Sequence, residues 1–538
     1  YLMINSDHDS IHGSSVDEVH VEMEFRYAAV GQIATGLAHD SLKYIVMHMK
    51  PWWEGMGKGI VTFSPSNPGM PQLGKVWLPI ADDKVCIYDK YGNALPTQIL
   101  PREKIELNGM AQLRNTHWPH EKFRNVLFLA SSDANMVNTF VCKREDVKFN
   151  DIDAGDNYIE NEYLRVELDG ALINILDKIN NIWYFGLNLI EEEADAGDAW
   201  DFSPPWIPGE TVLSNRFDFK SSLVESGPVR AVIKSVGKMN VPYKLEGDKR
   251  SATRVDIPMC FEISMERYSK RVDIKLTFEN NARDHRMRLR IPMGVKTDKV
   301  ISQGHYGIIE RPIERPRETE PWRQPPTQIL PFREWVAVDD GKRGLAIAVK
   351  GIYDYEAILN PLSNTPDICL TLLRGIEYMG RINTMQRKGD ASRFHHTPGA
   401  QCYGKHVVEW SYIPYAVDKD DKAPFIPIAN NFLYPMMTHM VRLNQLDEII
   451  GEEMLPFAFL NNNVQFSAFK RSYDGNDFIL RFYENQGKCV EAVIQLNGFK
   501  KVYLSNMNEE ICDEVEFKDN IIRMKVEPYK VVTLLLKQ

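Results

Sequence analysis

The chain has 538 residues, 43% hydrophobic and 26% charged, a balance ordinary for a globular protein and one that excludes global disorder. Its net charge of -10 and pI near 5.8 exclude a general polyanion binder, which needs clustered lysine and arginine, so nucleic acid is not an expected partner. The length predicts roughly two to four domains, and without a run of about 18 consecutive apolar residues no membrane span is expected.

The first feature along the chain is a polar turn, Asn5-Ser6-Asp7-His8-Asp9-Ser10-Ile11-His12-Gly13, that runs towards a helix. Imidazole and carboxylate side by side supply a nitrogen lone pair and a charged oxygen, which together suit a metal ion and a sugar hydroxyl. Read alone, the cluster fits either a metal site or a polar cap. One His and one Asp do not complete a four-coordinate zinc shell, so further ligands would come from elsewhere. The start, Tyr1-Leu2-Met3-Ile4, has neither an initiator methionine nor the features of a secretory signal, and a site this close to residue 1 leads us to expect more chain upstream.

Ser15 and Glu18 have capping-box spacing, which predicts a helix from Val16. Val19, Met23, Tyr27, Val30, Ala34 and Leu37 recur every three or four residues, the stripe of a helix packed on one side. Asp40-Ser41 predicts a second cap, with a further helix through Met49 that Pro51 ends. Residues 1–56 thus read as a remnant of a helical bundle.

From residue 57 the texture becomes β. Gly59-Ile60-Val61-Thr62-Phe63, Lys84-Val85-Cys86-Ile87-Tyr88 and Val126-Leu127-Phe128-Leu129 are separated by Pro, Gly and Asn punctuation, predicting a small β-sandwich over 57–150. The polar stretch from Asn150 to Asp156 marks a boundary. Beyond it Arg271-Val272-Asp273-Ile274-Lys275-Leu276-Thr277-Phe278 alternates with period two, and Val531-Val532-Thr533-Leu534-Leu535-Leu536 reads as a buried strand. A large β-sandwich over 151–440 and a C-terminal β-domain, or a continuation of the same sandwich, over 441–538 account for the rest. The fold class is mainly β.

Two tryptophans are interleaved with carboxylates in Glu191-Glu192-Glu193-Ala194-Asp195-Ala196-Gly197-Asp198-Ala199-Trp200-Asp201-Phe202-Ser203-Pro204-Pro205-Trp206. Acids accept hydroxyl protons and indole faces cover the apolar face of a pyranose, so the stretch suits carbohydrate. Composition alone favours a solvated acidic loop instead, because charged residues are mostly exposed. His395-His396 and His117-Trp118-Pro119-His120 lack nearby ligands at metal-like spacing and read as hydrogen-bonding loops. Dinucleotide, P-loop, nucleophile-elbow and zincin motifs are absent from the sequence. Cys86, Cys142, Cys260, Cys369, Cys402, Cys489 and Cys512 are widely spaced, odd in number and never in a CxxC, which reads as reduced, buried thiols in a cytoplasmic protein.

His8-Asp9-Ser10-Ile11-x-Gly13 followed by Asp17-Glu18-Val19-His20 resembles the signature of glycoside hydrolase family 38, the α-mannosidases, most closely the bacterial cytoplasmic members. Asn161-Glu162-Tyr163-Leu164-Arg165-Val166, Gly170-Ala171-Leu172, Asp177-Lys178, Asn280 to Arg286 and Thr397 to Cys402 agree in the right order, so the resemblance covers essentially the whole chain. It implies a zinc-dependent retaining α-mannosidase, with a catalytic α/β barrel, a helical bundle and β-sandwiches, the large one galactose-mutarotase-like. It makes His8 a zinc ligand and Asp9 a contact to sugar hydroxyls, and leaves His12 outside the ligand set. It also gives Asp198, Trp200 and Asp201 a substrate-facing place at the pocket rim.

The catalytic domain of that pattern, with its remaining zinc ligands and catalytic aspartates, lies outside this sequence. Retaining hydrolysis needs two carboxylates about 5–5.5 Å apart, and no residue here takes either role, so this chain alone is expected to be inactive. The expected partners are a mannoside and the upstream catalytic domain, with a homodimer reasonable. Two alternatives remain at this stage: hydrolysis of a (phospho)mannosylglycerate-type mannoside, which basic residues near the pocket would favour although the sequence does not place Arg311, Arg315, Arg317 and Arg323 of the Pro-rich stretch there, and a non-catalytic carbohydrate-binding sandwich module.

Overall fold

The computed structural model describes residues 1–48, 56–64, 70–80, 84–101, 123–131, 137–315, 324–419, 421–441 and 456–538. A short helix, α1 (His8–His12), ends at Gly13, whose φ of 81° is a left-handed conformation that glycine adopts without a Cβ penalty. A long helix, α2 (Asp17–His48), follows, its first turn closed by amides of Val19 and His20 on the Val16 carbonyl. The helix therefore starts one residue later than the capping box suggests. It also runs straight through Asp40-Ser41: both lie on its exposed side, where polar groups need not interrupt the backbone, and no second cap forms. The expected stripe is buried at Met23 alone, while Tyr27 and Leu37 are exposed together with Val21, Phe25, Ile33 and Tyr44. The C-terminal part of α2 packs on a sheet through Leu42 and Ile45.

The small sandwich encloses Ile60, Val76, Leu78, Ile87, Val126, Phe128 and Phe140. One of its sheets has five strands, in the order Met437–Met440, Lys58–Phe63, Val137–Lys143, Cys86–Tyr88, Ala94–Leu95. The other has three: Pro71–Pro79, Phe123–Ser131 and Thr97–Ile99. Met437–Met440 hydrogen-bonds to Lys58–Phe63, so the chain returns to the small sandwich after completing the large one. The sequence reading groups 437–440 with the large sandwich over 151–440, whereas this strand pairs with Lys58–Phe63 of the small one, because strand pairing is blind to sequence distance.

The large sandwich packs a nine-stranded and a six-stranded sheet, together with the five-stranded meander of residues 153–187, around one continuous core. Strand Val272–Asn280 shows why. Val272, Ile274, Leu276 and Phe278 are buried in that core, while Asp273 and Lys275 face away from it. On the outward face Lys234, Glu262, Lys275, Glu409 and Lys350 lie in register across neighbouring strands with alternating sign. Cross-strand opposite charges stabilise such a row. The row lines a cavity of about 610 Å³ under the small sandwich, which is tied to the large one by Gln98, a donor to Glu225 and an acceptor for the amides of Val229 and Arg230. A further helix, α3 (Ile426–Leu433), covers Trp335 and Tyr415 at the sheet's end.

Residues 456–538 form a further sandwich of three- and five-stranded sheets with a core of its own, including Leu480, Phe482, Ile494, Ile522 and Leu534. Val531–Lys537 is its central buried strand. All seven cysteines are free, but Cys489 and Cys512 are exposed, so the expectation of uniformly buried thiols is corrected for these two. Among the described residues no helix is long and apolar enough to cross a membrane.

Candidate functional site

Helix α1 presents His8 and Asp9 to solvent, with His8 Nε2 3.5 Å from Asp9 Oδ1 and side chains 87% and 47% exposed. Asn5, fully buried, anchors this turn: its Nδ2 donates to the Met23 carbonyl and its Oδ1 accepts from Arg26. His12, also exposed, ends the same helix. Its Nδ1 is 3.1 Å from Ser14 Oγ, and its ring centroid is 5.2 Å from that of Trp200. The fold thus brings the His-Asp motif and the tryptophan loop to one place, with His12 as the contact between them.

The acidic stretch is not a solvated loop. Glu191 and Glu192 lie on strand Leu189–Ala194, and both are buried, as are Asp195 and Asp198 in the turn that follows. Burying a carboxylate is costly unless it is paired and hydrogen-bonded, and each of these has cationic partners. Glu191 bridges Arg288 and Arg290, with Arg290 Nη1 at 2.9 Å, and Arg288 also reaches Glu193 and Glu356. Burial pushes the Glu191 carboxyl up, but the two guanidiniums outweigh it and hold it below the ordinary value. Glu192, likewise held low against burial, meets His285 and Arg250 on the opposite face.

In the turn, Asp195 Oδ1 accepts from the amides of Gly197 and Ser203, and its Oδ2 accepts from Arg374 Nε at 2.7 Å. Arg374 Nη2 also donates to the carbonyls of Asp198 and Asp201, each at 2.9 Å. A side chain at Gly197 would collide with the Asp201 carbonyl, so the tightness of the turn requires glycine there. Asp198 Oδ1 accepts from the amides of Trp200 and Asp201, and its Oδ2 accepts from the Arg381 amide at 2.8 Å and Arg387 Nη2 at 2.5 Å. Asp201 accepts from Arg387 Nη1 and from Gln324 Nε2. Phe202 lies under Arg286, ring centroid to guanidinium carbon 3.4 Å.

Of the residues singled out from sequence, His8 and Asp9 are accessible, and Trp200 lines the contact with α1. Asp198 has no exposed surface, and its oxygens are committed to four donors; Asp201 is tied to Arg387 and Gln324. These two carboxylates build the loop. Sequence reading missed Arg374 and Arg387, which lie far along the chain in stretches with no motif; the surplus of carboxylates at 191–201 was the signal that buried cations had to be found for them.

The other matching segments are structural braces. Asn161 accepts from the amides of Tyr163 and Leu164 and donates to the carbonyls of Glu266 and Ser269. Asp284 and Gln401 exchange reciprocal hydrogen bonds under the tryptophan loop, where the Asp284 carbonyl also accepts from the Asp195 amide. Gly399 donates to Asp17 Oδ2 at 2.9 Å and fastens the start of α2 to the large sandwich. His396 Nε2 lies 3.6 Å from Glu377. Arg311 donates to Ser302 and to the Pro331 carbonyl; Arg317, Arg323 and the His117-Trp118-Pro119-His120 stretch lie outside the described residues.

Among the described residues no group of three or more His, Cys, Asp or Glu could hold a metal ion. His8 and Asp9 offer one nitrogen and one carboxylate, short of the four donors of a zinc site. The described residues of this chain do not by themselves fit a zinc ion.

Residues 159–379 match the Glycosyl hydrolases family 38 C-terminal domain, and residues 463–534 match the Glycosyl hydrolases family 38 C-terminal beta sandwich domain. The chain belongs to this family as a C-terminal portion. It is 23% identical, over 99% of its length, to 62% of a provisionally named mannosylglycerate hydrolase of Halalkalibacterium halodurans. Its fold is that of an alpha-mannosidase from Enterococcus faecalis V583, with a TM-score of 0.80 at 18% identity, covering 100% of this chain and 62% of that one. A glycosyl hydrolase family 38 protein from Enterococcus faecalis gives a TM-score of 0.81 at 17% identity, covering 100% of this chain and 65% of that one. The chain thus spans less than two thirds of the length of these relatives.

Proposed function

We propose that the chain is the C-terminal portion of a glycosidase acting on α-mannosides, in which it supplies one wall of the substrate pocket and the His8-Asp9 pair beside it. The observation that carries the reading is the 5.2 Å contact between His12 and Trp200, which sets an indole against the short helix that carries the accessible His8 imidazole and Asp9 carboxylate. An aromatic face beside polar groups suits a pyranose, which is apolar on its C–H face and polar at its hydroxyls. In this reading Asp9 accepts from sugar hydroxyls and Trp200 covers the ring. Asp198 and Asp201 serve as the frame that holds Trp200. His8 would contribute one ligand to a zinc ion whose other ligands come from outside this chain, and the reacting carboxylates of a retaining mechanism would come from there too.

The exposed apolar residues of α2 support an upstream partner. Val21, Phe25, Ile33 and Leu37 recur at four-residue multiples, a stripe that suits another helix in a bundle. Mannosylglycerate is a second reading of the substrate, favoured by the name of the Halalkalibacterium relative.

The test is hydrolysis of 4-nitrophenyl α-mannoside and of mannosylglycerate by the full product of the parent gene and by the 538-residue chain, each with and without a zinc chelator. Chelator-sensitive hydrolysis by the full product alone is the expected result. Activity on mannosylglycerate only would select the second reading, and activity on neither would remove the glycosidase reading.

A further inference from the structure

We propose that Arg387 is a positioning residue of this site: by bridging Asp198 and Asp201 it holds Trp200 against His12, and so sets the pocket wall beside His8 and Asp9. The inference rests on the reading above that Trp200 faces the substrate.

The indole Nε1 of Trp200 is buried and makes no hydrogen bond among the described residues, so there the ring is held by its packing and by the backbone on either side. That backbone is fixed by Asp198 and Asp201, the residues flanking Ala199-Trp200, and one guanidinium joins the two carboxylates: Nη2 to Asp198 Oδ2, Nη1 to Asp201 Oδ2. The Arg387 side chain is 5% exposed and Asp198 fully buried. A bidentate fork spanning two carboxylates is a geometry that arginine provides and lysine does not.

Arg374 has a different task. It sits on strand Pro366–Gly375 and grips Asp195 and two carbonyls, as part of the sheet. Arg387 comes from a loop that is itself closed on Asp198: the Arg381 amide donates to Asp198, Arg387 Nη2 also reaches the Arg381 carbonyl, and the Asn383 amide and carboxamide bracket Gly389. Without the guanidinium, the buried Asp198 and the half-buried Asp201 carboxylates would lose the cation they share, and like charges so placed separate or take up protons. Either response releases Trp200 from His12. The bond network thus makes the sugar-facing wall depend on a residue that touches no sugar.

The experiment uses the full product of the parent gene and a chromogenic α-mannoside. R387A is expected to raise KM about tenfold, the loss of one ring contact's worth of binding, with kcat within about twofold. W200A is expected to do the same, and the double variant R387A/W200A to be no worse than either single, because the arginine acts through the indole. R387K should recover only part of the loss. Multiplying KM effects in the double variant, or a fall in kcat with KM unchanged, would overturn the proposal. Should R387A fail to fold, D201N removes one end of the bridge and is expected to reproduce the KM effect; an unchanged KM in D201N would equally overturn it.

Amide exchange of residues 196–203 separates the two readings. Faster exchange in R387A and D201N is expected whatever the substrate, and unchanged protection refutes the clamp. A wild-type protein inactive on mannosides, with the exchange effect present, would sink the substrate reading while leaving the clamp intact.

Discussion

His12 and Trp200 meet at 5.2 Å between ring centroids, with the planes tilted by 38°. One residue ends the first turn of the chain and the other sits in a loop of the large sandwich, and their contact joins the two halves of the candidate site. The contact makes Trp200 the residue whose loss should be felt in substrate binding. In the full protein, W200A should raise KM for a mannoside about tenfold, whereas W200F, keeping an aromatic face, should cost about threefold or less. Steady-state kinetics on both variants checks this, and equal KM values in W200A and wild type would count against a sugar-facing indole.

The apolar stripe of α2 gives a prediction about partners. Phe25 is 68% exposed and Leu37 64% exposed, and burying each against a neighbour would contribute about 1.5–3 kcal/mol. The double variant F25D/L37D should leave the Tm of the 538-residue chain within about 2 °C, since these sites add little to its own fold. In the full protein the same change should lower Tm by several degrees. Differential scanning calorimetry of the four proteins decides, and an equal response in both contexts would mean that nothing covers the stripe.

Acid stability should report the Glu191 pairing. The Glu191 carboxyl is held below its ordinary value of 4.5, burial being outweighed by Arg288 and Arg290. A folded pKa below the unfolded one means that the carboxylate stabilises the fold above pH 4.5 and loses that contribution as pH falls through the depressed value. E191Q should therefore be less stable than wild type at pH 7, by up to about 3–5 kcal/mol, because the buried Arg288 and the half-buried Arg290 each lose one charged partner. The gap should narrow below pH 4.5. Urea midpoints from pH 7 to pH 3 test it, and a gap independent of pH would show that the carboxylate's charge does not matter.

The C-terminal sandwich has a core separate from that of the large one, so a cavity there should act locally. Leu480 is fully buried in it, and L480A should cost about 2–5 kcal/mol. Calorimetry should show one transition moving down while the rest of the profile holds. A uniform shift of every transition would mean that the two sandwiches unfold together.

Much of the architecture was legible because strands declare themselves by period. The run at 271–278 alternates because one face meets a core and the other meets water, and the strand lies at Val272–Asn280 as the pattern requires. Helix α2 was harder to read. Its spacing gave a helix, but the same sequence allowed a break at Asp40-Ser41 that does not occur, and periodicity alone could not say that Tyr27 and Leu37 would stay exposed.

The candidate site divided the same way. His8-Asp9 stood out as a nitrogen donor beside a carboxylate, and Asp198, Trp200 and Asp201 as carboxylates around an indole that the resemblance to family 38 sets at a pocket rim; that much the sequence by itself determined. Only the tertiary structure decided that His12 would be the contact between them, that Asp195 and Asp198 would be buried, and that Arg374 would neutralise the first and Arg387 the second. The physical reason is that a buried carboxylate needs a countercharge, and any segment the fold brings within about 3 Å can supply it. Local sequence shows the need for that partner, and long-range packing chooses which residue meets it.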